Sequence, residues 1–262
     1  RIPNTFRRLF SEGTFNAAFV PSYSSELVKG KDKSNNFASE VFNLLFLILL
    51  FLNLLVQIFM PFFVSLIAPG FIDDQEKMSL AITLTRITFP FLILISLASF
   101  FSAILNSHNR FAEAAAAPII LNVVLITILF FGKSLDVNLV YYLSYGVTIS
   151  GLLQFMFLYF YVKKYFSLKF TFRFKITSKI KIFFKKLVPS IFSSGVTQIN
   201  ILVGTIIASF QAGAVSYLYY ADRIYQINLA IAGIAISVVT LPQLSKYILS
   251  LIHISEPTRP SS

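Results

Sequence analysis

Apolar residues in this chain fall in long blocks rather than in the alternation of half-buried strands. Blocks at 41–68, 80–105, 114–131, 139–162 and 187–210 are each long enough to cross a bilayer core as a helix, and another runs from 216 to about 244. Residues 1–27 read as an amphipathic helix with Arg7, Arg8 and Glu12 near its start. Arg8 and Glu12 are spaced i, i+4 and can pair on one face, and Pro21 is expected to bend or end the helix. Polar punctuation separates the blocks: a loop at 29–36, a turn from Pro69-Gly70 into Asp73, Asp74, Glu76 and Lys77, a short loop at 106–110 and a turn at 132–138. The block at 41–68 carries Asn43, Asn53, Gln57 and a helix-bending Pro61. The next has Arg86 near its start and Pro90 inside it. The pattern predicts an all-α, polytopic helical membrane protein of about seven transmembrane helices.

The block from 216 opens with Ser216-Tyr217-Leu218-Tyr219-Tyr220-Ala221-Asp222-Arg223-Ile224-Tyr225-Gln226, which sets an adjacent Asp and Arg inside an apolar segment. An ionised group at bilayer depth costs about 3 kcal/mol or more unless wetted or paired, so the pair marks a functional site or a lock between helices. On a helix, Tyr219, Arg223, Gln226, Ala230, Gly233, Ser237 and Thr240 form one polar-to-small stripe. Leu218, Leu229, Ile231, Ile234 and Val238 lie opposite. A stripe sustained for about six turns favours the wall of a water-filled cavity over a local charge lock.

Composition agrees with the membrane class: 56% of residues are hydrophobic, 13% are charged and mean hydropathy is +0.76. The chain has no cysteine, which excludes disulfide and thiolate chemistry. A net charge of +11 would suggest nucleic acid in a soluble protein. Here the charge sits in alternate loops. Those at 29–36, 106–110 and 163–186 are basic, whereas 71–77 is net negative, 132–138 is near neutral and 211–215 is uncharged. By the positive-inside rule the basic set faces the cytoplasm, and no nucleic-acid partner is implied. Asp73 and Asp74 are the adjacent acids an enzyme would need, but they sit in a short turn with Lys77 that reads as solvated. No metal or cofactor site is indicated. His108 reads as a solvated loop residue, and His253 is not taken as a ligand.

The segment 163–186 holds nine Lys or Arg and no acid. Residues 169–176 alternate as an extended interfacial piece, and Thr177 or Ser178 can cap a helix with Ile180, Phe183, Phe184 and Leu187 on one face. It reads as a topology determinant and surface anchor, with a grip on anionic lipid heads as the competing role. The block at 187–210 carries Ser190, Ser194, Thr197 and Gly204 on one stripe with Gln198 beside it, suited to close helix packing.

Several runs then carry a resemblance. The first is Ile2-Pro3-Asn4-Thr5-Phe6-Arg7-Arg8-Leu9-Phe10-Ser11-Glu12-Gly13-Thr14-Phe15, followed by Ala18-Phe19-Val20-Pro21. The second is Ser216 to Arg223, with its Tyr-Tyr-Ala-Asp-Arg core, continuing to Leu241-Pro242-Gln243-Leu244-Ser245. Between them stand Ile87-Thr88-Phe89-Pro90, Leu94-Ile95-Ser96-Leu97-Ala98-Ser99 and Ala103-Ile104-Leu105-Asn106. Together, over residues 1–246, these resemble the MurJ (MviN) lipid II flippases of the multidrug/oligosaccharidyl-lipid/polysaccharide exporter superfamily.

The resemblance implies a fourteen-helix protein of two lobes around a central cavity, of which this chain is a fragment running from the second helix to the eighth. It implies a partial N-terminal lobe at 1–186 with a basic linker at 163–186, and the start of a C-terminal lobe at 187–246. The chain opens at Arg1 without Met and is read as lacking an N-terminal part. Residues 247–262 depart from the family and are read as a non-native or disordered tail. By position, Arg7, Arg8 and Arg223 match cavity arginines that engage a pyrophosphate, and Asp222 matches the acidic neighbour of the last. Glu12, Gln226 and Tyr219 complete the expected binding set. Pro21-x-x-Ser24 and Pro242-x-x-Ser245 echo each other as parallel repeats would.

The implied function is translocation of lipid II, an undecaprenyl-pyrophosphate-linked disaccharide-peptide, across the bacterial inner membrane by alternating access. Membrane lipids and cell-wall synthesis proteins are the other expected partners. Asp222 would hold Arg223 when the cavity is empty. Three rivals are a related lipid-linked oligosaccharide or polysaccharide flippase, a drug/cation antiporter of the same superfamily, and a non-transporting membrane scaffold. An excess of Arg over Asp at the candidate site argues against the antiporter.

Overall fold

A computed structural model of the chain describes residues 14–132, 138–170 and 177–227. Among these residues every regular element is helical. In order they are α1 (Thr14–Val28), α2 (Lys31–Ile58), α3 (Met60–Ile67), a single 3-10 turn (Pro69–Phe71), α4 (Gln75–Thr88), α5 (Phe91–Ser107), α6 (Phe111–Gly132), α7 (Leu139–Val162), α8 (Ser178–Ser209) and α9 (214–227). The chain divides into two compact units, Arg1–Phe210 and Gln211–Ser262. Among the described residues four helical stretches are long and apolar enough to cross a membrane: Lys31–Ile58, Gln75–Ser107, Phe111–Gly132 and Leu139–Val162. This is a multi-pass helical membrane protein.

Two boundaries differ from the sequence expectation, and of the two outcomes expected at Pro21 the helix is not ended there. The polar run 29–36 contributes only a brief turn, with Gly30 at φ 124°, and α2 begins at Lys31. Ser34, Asn35 and Ser39 are buried, and the Ser34 hydroxyl donates to the Lys31 carbonyl, so burial selects helix over a solvated loop. Pro21 does not end α1, which continues to Val28. Pro21 is exposed, while Phe15, Ala18, Phe19 and Tyr23 pack the other face and offset the roughly 3 kcal/mol cost of an interior proline. Finally, the basic amphipathic segment and the span after it form one continuous 32-residue helix, α8, capped by the Thr177 hydroxyl. Ile180 and Phe183 of its first turns are buried in the protein core rather than laid on a membrane surface.

Pro61, expected to bend its helix, and Pro90, expected inside one span, both sit at helix interruptions. Pro61 follows an interruption at Phe59 that separates α2 from α3. Pro90 separates α4 from α5 and has no N–H for the Arg86 carbonyl. The Gln57 side-chain amide supplies that bond at 2.9 Å, and the Thr148 hydroxyl donates to the next carbonyl, Ile87, at 2.6 Å. Backbone freed inside a membrane must be satisfied by neighbours, and α2 and α7 do so here.

Helix α5 is the centre of the first unit, packing against α1, α2, α6 and α7. Phe100 and Phe101 join Phe15, Phe19, Phe37, Phe42 and Phe183 in one aromatic cluster. Small residues admit α7 to its neighbours: a side chain at Gly151 would overlap Phe91, and one at Gly146 would overlap Ile128. The outer faces of α6 and α7 are apolar, with Val123, Ile126, Phe130, Ile149, Leu153 and Met156 exposed, as suits lipid.

A polar latch closes one end of the unit. Asn36, Ser39, Glu40 and Asn43 recur at helical spacing on α2. The Asn43 amide donates to the Lys169 carbonyl at 3.0 Å, and the Lys169 N–H donates to the Ser39 hydroxyl at 3.1 Å. The Lys169 ammonium reaches Asn36 at 3.2 Å, and the Thr177 hydroxyl donates to Glu40 at 2.9 Å. Lys169 and Thr177 of the basic linker are therefore held on the first turns of α2. At the other end the Gly70 N–H donates to the Ser209 hydroxyl at 3.0 Å, and a side chain at Gly70 would overlap the Ser209 carbonyl.

Candidate functional site

In the second unit, α9 begins just after Gly213, whose φ of 76° turns the chain into the helix. It carries four of the expected binding residues. The Arg223 Nε and Nη2 both donate to the Tyr219 hydroxyl, at 3.1 and 3.0 Å, and the guanidinium lies 5.1 Å from the Tyr219 ring centroid. The Gln226 amide donates to Asp222 Oδ2 at 2.7 Å. Asp222 and Arg223 do not hold each other, which corrects the expected pair. Successive helical residues point about 100° apart, so each reaches a residue one turn away instead. The result is a cation with its fork steadied from one edge and exposed on the other. Tyr217, Tyr220, Ile224 and Tyr225 are exposed on the same helix. Arg7, Arg8 and Glu12, the stripe from Ala230 to Thr240 and the tail 247–262 lie outside the described residues.

His108 is not a solvated loop residue. It is half-buried, with Nε2 3.2 Å from the Tyr23 hydroxyl and its ring stacked on Tyr165 at 4.7 Å. The contact joins α1, the α5–α6 loop and the segment after α7. Sequence reasoning missed it because the two tyrosines lie far along the chain in either direction. Burial, and then the positive charge of Lys31, push the His108 pKa below its ordinary value. The unfolded chain therefore binds more protons once pH falls below about 6.5, and the junction loses stability toward acid pH. The melting temperature in detergent should be lower at pH 5.5 than at 7.5, and His108→Gln should shrink that difference. An unchanged difference in the variant would remove His108 from the account.

Sequence reasoning also passed over the surroundings of Arg86, exposed near the Pro90 break. The signal was present in the spacing of Glu76, Ser79, Thr83 and Arg86.

Over residues 1–250 the chain matches the sequence model of the family described as Lipid II flippase MurJ. The chain belongs to the MurJ family. A probable lipid II flippase MurJ of Rhizobium tropici is 41% identical over 262 residues, covering 98% of this chain and 49% of the relative. One of Rickettsia prowazekii is 42% identical over 247 residues, covering 94% and 48% respectively. The solved structure of a lipid II flippase MurJ in an inward closed conformation matches with a TM-score of 0.78 at 30% identity, over 94% of this chain and 50% of that one. The chain spans about half the length of the curated relatives it matches. The MurJ match includes Arg7, Arg8, Glu12 and the whole apolar block that α9 opens.

Proposed function

We propose that this chain forms part of a flippase that carries lipid II across the bacterial cytoplasmic membrane for peptidoglycan synthesis, by alternating access through a cationic cavity. Membership of the MurJ family over residues 1–250 carries this reading. The chemistry of α9 supports it. A guanidinium steadied by Tyr219 offers its remaining N–H groups as a planar donor set, which suits the oxygens of a pyrophosphate and stays charged when partly desolvated. Arg7 and Arg8 are assigned to the same anion. Asp222, Gln226, Tyr219 and Glu12 are assigned to positioning it and to contacts with the polar headgroup. The reading makes the protein a transporter rather than an enzyme, with its basic linker and the 106–110 loop in the cytoplasm and cell-wall synthesis proteins as further partners. Residues 1–186 then belong to one lobe, 187–246 begin the second, and 247–262 stand outside both.

Reconstitution of the protein from its full reading frame into liposomes tests the reading. Lipid II placed in one leaflet should appear in the other at a rate well above protein-free vesicles. A protein that binds lipid II without moving it would be a scaffold, and the proposal would fail.

A further inference from the structure

Helices α6 and α7 turn apolar side chains outward, as lipid requires. Helix α4 does the reverse. Glu76, Ser79, Thr83 and Arg86 are all exposed and, at steps of three and four, lie on one stripe. Leu80 is the one large apolar residue exposed on this helix. Arg86 lies six residues past Leu80, where the apolar block begins, about 9 Å along the axis and so inside the part of the helix that meets the hydrocarbon core. A guanidinium at that depth is unfavourable against lipid and belongs with water or a counter-ion. Among the described residues it makes no ion pair.

The helix break lies at the same place. The Arg86 and Ile87 carbonyls, one turn before Pro90, are taken by Gln57 and Thr148, so the backbone polarity is met by α2 and α7 and not by the Arg86 side chain. One turn from Gln57 on α2, Asn53 is buried with its amide nitrogen unpartnered among the described residues. Interrupted helices with polar side chains gathered around them are how transporters build binding sites at depth.

We propose that the stripe Glu76–Ser79–Thr83–Arg86 lines an aqueous path open to the side of the 71–77 turn, and that Arg86 binds a phosphate-type oxyanion of the lipid-linked cargo on that path. This rests on the flippase reading above for the identity of the cargo, and on α4 alone for the anion site.

This chain carries no cysteine, so only cysteines elsewhere in the full reading frame need replacing by serine before single-cysteine labelling. The protein from its full reading frame, in membranes, would carry one cysteine at Thr83, Gln75, Val123 or Ile126. Impermeant methanethiosulfonates added from outside should label Thr83→Cys and Gln75→Cys, and leave the two α6 positions unlabelled. At Thr83→Cys the anionic sulfonatoethyl reagent should gain at least about fivefold over the cationic trimethylammonium reagent, relative to Gln75→Cys, and Arg86→Gln should erase that gain. Inorganic pyrophosphate should slow labelling of Thr83→Cys only when Arg86 is present. In liposomes, a small mole fraction of lipid II should slow it likewise, while phosphatidylglycerol should not. Slowing by phosphatidylglycerol alone would assign the site to a membrane phospholipid and overturn the cargo proposal. An unreactive Thr83→Cys beside a reactive Gln75→Cys would mean that protein covers the stripe, and an unchanged reagent preference in Arg86→Gln would mean no anion site; either overturns it. Pyrophosphate protection in a protein that fails to translocate lipid II would sustain the anion site and count against the flippase reading alone.

Discussion

Arg223→Lys should damage lipid II translocation nearly as much as Arg223→Ala, with both variants folded. The side chain spends two N–H groups on one oxygen, the Tyr219 hydroxyl, and that contact fixes the plane of the fork. Lysine keeps the charge but is a flexible point donor, so it cannot hold Tyr219 and present two parallel bonds to a pyrophosphate together. A charge-assisted hydrogen bond contributes about 2 kcal/mol, so losing one at the rate-limiting stage predicts a fall of roughly thirtyfold. Alanine should exceed that. Because Asp222 is bonded to Gln226, removing Arg223 does not orphan a carboxylate, and the folded yield should hold. The double variant Asp222→Asn with Arg223→Gln should likewise fold and not transport. The measurements are folded yield in detergent and translocation per folded molecule in liposomes. Normal transport by Arg223→Lys, or by the double variant, would remove this helix from the binding site.

The second large effect belongs to the core. Phe19 is fully buried, with ring centroids at 5.2 Å from Phe15, 5.5 Å from Tyr23, 6.0 Å from Phe37 and 5.0 Å from Phe100. It joins α1 to α2, α5 and the start of α8, so a cavity there weakens several interfaces together. Truncating a buried Phe to Ala costs about 3–5 kcal/mol, which is a large part of the net stability of an ordinary domain. Phe19→Ala should lower the melting temperature by about 10 °C or more. Phe19→Leu, which keeps most of the volume, should cost about 1 kcal/mol. A melting point for Phe19→Ala within about 2 °C of the parent would show that the cluster is not what holds these helices.

The sequence by itself determined the class of the molecule, because hydropathy over some twenty residues is a local property that a bilayer reads directly. Helix α7 came out with the predicted bounds, and the interruption at Pro61 followed from the missing N–H of proline. The family was legible as well, since the runs around Arg7-Arg8 and Asp222-Arg223 are contiguous motifs.

Only the tertiary structure decided what depends on residues remote in the chain. Polar residues 31–36 could be loop or helix until Ser34, Asn35 and Ser39 were buried. The basic segment could lie on a membrane until Phe183 entered the aromatic core and Ile180 was buried. The latch from Asn43 to Lys169 spans 126 residues, and the clasp of His108 on Tyr23 spans 85. The partners of Asp222 and Arg223 lie within one turn, yet adjacency in sequence suggested the wrong pair, because helix geometry turns neighbours apart. A hydropathy pattern records each residue's own preference for lipid or water. Which side chain meets which is set by packing, and that is where the exposed polar face of α4 and the depth of Arg86 became visible.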